Sequence, residues 1–169
     1  MSRKLNRILA TAIIVSGVSA LPSAAQPLMQ PNISVAMAQQ IVDAAIAHCN
    51  QPGDLITVTI AVVDRAGAPV LQVKADTASL HNWELAYRKA YTARTYRRTS
   101  IEWRDRTAGD SDAMGQRMLA EVIPLGGGVP IMMGDQPMGG IGVSGAQGGQ
   151  PVDSACAEAG LAAIADQLQ

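Results

Sequence analysis

Two histidines, His48 and His81, and two cysteines, Cys49 and Cys156, are the whole supply of the side chains that most readily ligate metals or serve as base and thiol nucleophile near neutral pH. The histidines have no second ligand four residues away on a helix, so no metal site is indicated. The cysteines are too far apart for a redox CxxC pair. Ser144 lies in Val143-Ser144-Gly145-Ala146, which has Gly142 at the −2 place of a nucleophile elbow but Ala146 where the second glycine belongs. Serine hydrolase chemistry is therefore disfavoured. Gly140-x-Gly142-x-x-Gly145 has the glycine spacing of a dinucleotide turn. That turn works only between a strand and a helix of a βαβ unit, with an acid at the end of the next strand. Here the acid at the right distance is Asp166, inside a closing helical pattern with no strand after it. NAD-type binding is excluded on that ground, and the glycines are left to admit a ligand or a neighbouring subunit close to a strand.

The elements that must hold these residues are legible from periodicity. Ser34 is placed to cap a helix whose apolar residues Val35, Ala38, Ile41, Val42, Ala45, Ile46 and Cys49 recur every three or four positions, ending near Pro52-Gly53. Leu55 to Asp64 is β-branched and reads as a buried strand; Val70 onward alternates, and the Gly67 turn makes the two runs an antiparallel hairpin. A helix is expected from Ser79 to about Arg98, another over Ser100 to Arg106, and a helical turn or two between Asp112 and Glu121. Gly126 to Met133 and the run into Gly145 read as two strands about a turn at Gly134-Asp135-Gln136-Pro137, and Val152 to Leu168 as a closing helix. A fifth strand is a candidate at Val122-Ile123.

Arg3, Lys4 and Arg7 precede an apolar run, Ile8 to Leu21, and then Pro22-Ser23-Ala24-Ala25. This is the pattern of a secretory signal peptide over residues 1–25, cleaved after Ala25. The apolar run, about 14 residues, is short of the roughly 20 that span a bilayer, which disfavours the alternative of an uncleaved anchor. Residues 26–33 then form a flexible mature N-terminus and residues 34–169 a single domain, exported to the periplasm or secreted, with no membrane association after cleavage. Loss of three positive charges takes the formal charge from −1 to −4, and nothing indicates nucleic acid. With no Phe, two Trp and three Tyr, the core is aliphatic and rich in small residues. In an oxidising compartment the cysteines form one disulfide or remain two buried thiols.

Ile60-Ala-Val-Val-Asp-Arg-Ala-Gly-Ala-Pro-Val70, Arg88-Lys-Ala-Tyr-Thr-Ala93, Gly127-Gly-Val-Pro-Ile131, Gly139 to Ala146 and Ala157 to Ile164 together resemble the GlcG/HbpS family, which includes the C-terminal domain of PduO-type proteins. The resemblance runs from about Val35 to Leu168. It implies an α/β (α+β) domain, an antiparallel sheet of about five strands with helices packed on it, commonly assembled into homo-oligomers, with exported members that bind haem. The order of elements read above agrees with that fold and makes the N- and C-terminal helices neighbours on one face of the sheet. If they run antiparallel, Cys49 meets Cys156.

The positions matching the family are Lys89, Tyr91 and Thr92, the loop residues Gly127, Gly128, Val129 and Pro130, and Ser144 and Gly145 with Val143. Loop amides, Lys89 and the hydroxyls of Thr92 and Ser144 would suit an anionic group; the alternative is that they only shape a turn and a helix face. A haem iron needs an axial donor in an apolar setting with cations near the propionates. His81 is the residue reading's own candidate, because Trp83 and Tyr87 would flank a flat ligand and Arg88, Lys89 or Arg94 would pair with carboxylates. Seven of the thirteen basic residues lie between Arg88 and Arg106, which also describes a solvated helix face. The expected function is binding of haem or a related planar or anionic small molecule. The alternatives are an enzyme moving a proton on a small carbonyl or carboxylate compound through Lys89, Glu84 or His81, and a structural oligomer without catalysis.

Overall fold

The computed structural model describes residues 25–50 and 57–169. The signal peptide and the expected helix end at Pro52-Gly53 fall, apart from Ala25, outside the described residues. The elements are α1 (Val35–Cys49), β1 (Thr59–Asp64), β2 (Pro69–Lys74), α2 (Asn82–Tyr96), α3 (Ser100–Arg106), β3 (Gly128–Met133), β4 (Gln136–Ser144) and α4 (Gln150–Ala162). Short 3-10 turns occupy Met114–Met118 and Ala165–Gln167.

Local chemistry accounts for several boundaries. The Ser34 hydroxyl accepts from the Met37 amide at 3.2 Å and starts α1. Thr99 and Glu102 form a reciprocal capping box that starts α3. Residues 25–34 carry no regular structure, yet Ile33 is buried and the Asn32 side chain accepts from the Arg65 amide at 2.9 Å.

Among the described residues the sheet has four strands in the order β2-β1-β4-β3, and every neighbouring pair is antiparallel. The expectation of about five strands is corrected here. Val122-Ile123 does not join the sheet: the Val122 carbonyl accepts from Arg88 at 2.7 Å and the Ile123 amide donates to the Thr92 hydroxyl at 2.9 Å. Side chains of α2 take the hydrogen bonds that a ladder would have supplied.

The two faces of the sheet are built differently. Ile60, Val62, Val129, Ile131, Ile141 and Val143 point to one side, where Ile41 and Val42 of α1, Cys156 and Ala157 of α4 and Ile164 just after α4 complete a continuous apolar core. Full burial of each Ile or Val contributes about 1.5–3 kcal/mol. Both terminal helices lie on this face, as the sequence predicts, and they approach closely because a side chain at Gly160 would come within 2.7 Å of the Ile41 carbonyl. Cys49 and Cys156 are disulfide-bonded with Cα atoms 5.5 Å apart, a cross-link that closes a long loop and constrains the unfolded chain by about 4–5 kcal/mol on the chain-entropy account.

The opposite face carries Ala61, Gly128, Gly140 and Gly142, and α2 lies on it. A Cβ at Gly142 would be 2.0 Å from the Ala86 carbonyl oxygen, one at Gly140 2.5 Å from that of Ala90, and one at Gly128 2.2 Å from that of Lys89. The glycine spacing that mimics a dinucleotide turn thus admits the backbone of α2 from the same chain, and the space expected for a ligand or a neighbouring subunit is filled.

Candidate functional site

Helix α2 positions most of the candidate residues, and its two long faces have opposite characters. Asn82, Ala86, Lys89, Ala90 and Ala93 lie on the stripe turned to the sheet and are all buried. The side turned away begins with His81, at the N-cap position, whose side chain is exposed and makes no capping bond. Leu80 and Trp83 flank it, 89% and 49% exposed. The Trp83 carbonyl accepts from the Gln72 side chain at 2.6 Å, which ties this turn to the edge strand β2. One turn on, Tyr87 contacts Tyr91 with ring centroids 6.0 Å apart, and the Tyr91 ring covers the space above Gly67 in the β1–β2 turn. Burial and the neighbouring Glu121 raise the Tyr87 hydroxyl above the ordinary tyrosine range.

Arg88 is held by Glu84 at 3.0 Å and by the Val122 carbonyl at 2.7 Å, and its buried Nε has no partner among the described residues. Lys89 points the other way. Its ammonium, 2% exposed as a side chain, donates to Asp153 Oδ2 at 2.7 Å, to the Val143 carbonyl at 3.0 Å and to Ser144 Oγ at 3.4 Å. Burial lowers the Lys89 pKa, and the Asp153 carboxylate opposes that by favouring the charged form. Ser144 in turn donates to Asn82 at 3.3 Å, and Asp153 also accepts from the Ala146 amide at 2.9 Å. The three ammonium protons are therefore spent inside the protein.

The glycine loop closes over this network. Gly127 has φ +117, and a side chain there would strike the Val143 carbonyl, Asp153 and the Lys89 ammonium. The Gly128 amide donates to Ser100 Oγ at 2.8 Å, and Val129 faces the core while Pro130 lies half-buried on β3. Thr92 donates to the Arg88 carbonyl at 2.7 Å and accepts from Ile123. Gly145, φ +101, leaves β4 where a Cβ would meet Asn82 and the Thr57 carbonyl.

The predicted residues thus fall into groups that do not meet. Lys89, Gly127 and Ser144 come together, with Gly128, Thr92 and Gly145 close by, in a buried polar clasp between α2, the end of β4 and α4. His81 and Trp83 stand outside it on the surface, and Arg94 lies three turns further along α2. Lys89, Thr92 and Ser144 are each at most 3% exposed, so that trio offers a substrate no open face. Among the described residues no group of three or more His, Cys, Asp or Glu is arranged to hold a metal ion.

Asp153, Asn82 and Ser100 complete the clasp and were not singled out from sequence. A signal for Asp153 exists: it shares the i, i+3, i+7 stripe of α4 with Cys156 and Gly160, and a carboxylate on a buried stripe requires a buried partner. Lys89 carries the matching signal, three residues from Ala86 and four from Ala93 on the buried stripe of α2.

Known proteins are similar to this chain in sequence or in fold. A double mutant of HbpS from Streptomyces reticuli superimposes with a TM-score of 0.75 at 29% identity, covering 86% of this chain and 98% of that one. PduOC, solved as a heme complex, superimposes with a TM-score of 0.70 at 25% identity over 79% of this chain and 96% of its own. An uncharacterized 15.0 kDa protein from the dhaT-dhaS intergenic region of Citrobacter freundii is 29% identical over 108 residues, 63% of this chain and 72% of that protein. Residues 33–162 match the profile of the family described as haem degrading protein HbpS-like, and the chain belongs to that HbpS-like family.

Proposed function

We propose that this protein binds haem, or a related planar anionic small molecule, on the outward side of the first turns of α2. One observation carries the reading: the exposed His81 imidazole makes no hydrogen bond among the described residues and stands between Leu80 and Trp83, both exposed. An iron centre needs a nitrogen or sulfur donor on an apolar surface. Both cysteine sulfurs are consumed in the disulfide, and His81 is the exposed imidazole at the start of α2. His81, with Leu80 and Trp83 as apolar contacts, would hold the haem, which would supply an iron centre. Arg88, which also bonds Glu84 and the Val122 carbonyl, is the nearest cation to His81 along the helix that could pair with a propionate, whereas the Lys89 ammonium is buried against Asp153. The similarity to HbpS and to the PduOC heme complex supports the same ligand class.

The remaining parts of the proposal follow from chemistry already described. A flat ligand on an exposed helix has one uncovered face, and a second copy of the chain laid on the same apolar residues would cover it, so the protein binds as a homo-oligomer. Export to the periplasm or beyond agrees with the disulfide and with the charged, apolar and small-residue pattern of residues 1–25.

Titration of the purified protein with hemin is expected to develop a Soret band and to quench Trp83 fluorescence, and His81→Ala is expected to shift or abolish the band. A wild-type protein whose spectrum is that of free hemin overturns the reading.

A further inference from the structure

At the opposite end of α2, about 20 Å along the helix from His81 at 1.5 Å per residue, two arginines line a cleft that the haem reading does not use. The cleft has a volume of about 440 Å³ and is lined by Leu28, Gln30, Asn32, Arg65, Ala66 and Arg94. No acidic residue is among the six.

The two arginines are held differently. Arg65 is fixed by the Gln30 side chain at 2.7 Å, the Pro137 carbonyl at 2.6 Å and the Gln136 side chain at 3.3 Å. Arg94 lays its stem over Gly140, 3.1 Å from where a Cβ there would sit, and is one of the residues lining the cleft. The Arg94 guanidinium makes no hydrogen bond or ion pair among the described residues, and its buried Nε has no partner. Burial first, and then the neighbouring Arg65 and Arg97, hold its pKa below the ordinary arginine range, while Asp64 and Tyr91 oppose them. Asp64 is engaged elsewhere, accepting from the Ala66 and Ala68 amides at 2.8 and 2.9 Å. A cation set beside two others with no counter-charge within bonding distance is an incomplete arrangement, and an anion in the cleft completes it.

We propose that this cleft binds a small organic anion, its carboxylate or phosphate group bridged by Arg65 and Arg94 and its carbon part resting on Leu28 and Ala66. Planar guanidinium forks suit both oxyanions. The volume lies in the range of small-molecule sites. The site is independent of His81 and of haem.

Isothermal titration calorimetry of the full-length processed protein with succinate and, separately, with inorganic phosphate tests this. Saturable binding of at least one of them is expected; succinate alone assigns a carboxylate ligand and phosphate a phosphoryl one. Arg94→Gln is expected to weaken that binding at least tenfold, and Arg94→Lys, which keeps the charge without the fork, less. Arg106→Gln, the loss of an exposed arginine elsewhere, is expected to leave it within twofold. Because the Arg94 guanidinium makes no hydrogen bond or ion pair among the described residues and Gln keeps the first part of the stem over Gly140, Arg94→Gln is expected to melt within a few degrees of the wild type without ligand. The proposal is overturned if neither anion saturates, if Arg94→Gln binds as the wild type does, if Arg106→Gln weakens binding as much, or if Arg94→Gln alone strongly lowers the melting temperature.

Discussion

Lys89 Nζ lies 2.7 Å from Asp153 Oδ2, and this contact joins helices on opposite faces of the sheet at the end of β4. Neither group has another charged partner within ion-pair distance among the described residues. Each also bonds the β4 exit directly, Lys89 to the Val143 carbonyl and Asp153 to the Ala146 amide. The pair therefore fixes the path of the chain from the last strand into α4, the turn in which Gly145, Gly148 and Gly149 all have positive φ. A hydrophobic contact would hold the layers together equally well but would leave those backbone groups unsatisfied.

Removing one member of this pair leaves the other charge buried. Lys89→Met is expected to destabilise the fold by about 3–5 kcal/mol, because the Asp153 carboxylate loses its ammonium inside the protein. Adding Asp153→Asn removes the stranded charge, so the double variant is expected to be more stable than Lys89→Met alone. Urea denaturation of the two variants and the wild type gives the comparison, and a double variant less stable than the single one contradicts it.

The glycine face of the sheet makes a second, purely steric prediction. Gly142→Ala puts a methyl group 2.0 Å from the Ala86 carbonyl oxygen, which is backbone and cannot swing aside. The helix must lift from the sheet, at a cost of about 3 kcal/mol or more. Gly115→Ala meets nothing within 4 Å and is expected to stay within about 0.5 kcal/mol of the wild type. Equal melting temperatures for the two variants would show that α2 does not rest on Gly142.

The contrast between these sites explains how far the sequence is readable. The Ser34 cap, the hairpin about Gly67 and the helix from Ser100 to Arg106 depend on neighbours within a few positions, and each appears where expected. The strand suggested at Val122-Ile123 fails because its hydrogen-bonding partners are side chains of α2 some 30 positions earlier, a preference no local pattern encodes. The glycines of β4 are legible as a close approach but not as an approach by α2. Lys89 is legible as a motif residue, but Asp153 is 64 positions away, and only the packing of α2 and α4 about the end of β4 makes the two a pair. Arg94 reads as one of a run of cations on a helix, and its isolation beside Arg65 appears only in three dimensions.

Tyr87 supplies a prediction for alkaline pH. Its hydroxyl is held neutral first by burial and then by the charge and hydrogen bond of Glu121, so its pKa in the folded protein lies above the ordinary value of about 10. The folded state then binds more protons than the unfolded one between pH 10 and that raised value, and stability falls with rising pH in that window. The contribution is fully present below pH 10 and is lost as pH climbs through the folded pKa. Burial raises Tyr96 with the same sign, while the lowered Lys89 pKa works in the opposite sense up to about 10.5, so the wild-type profile alone mixes the two. Comparison with Tyr87→Phe isolates the tyrosine. The stability difference between wild type and Tyr87→Phe is expected to be constant from pH 8 to about 10 and to shift against the wild type above it, with tyrosinate absorbance at 295 nm rising later in the folded wild type than in the denatured chain. A difference that stays constant through pH 11.5 would show that Glu121 and burial do not hold the Tyr87 proton.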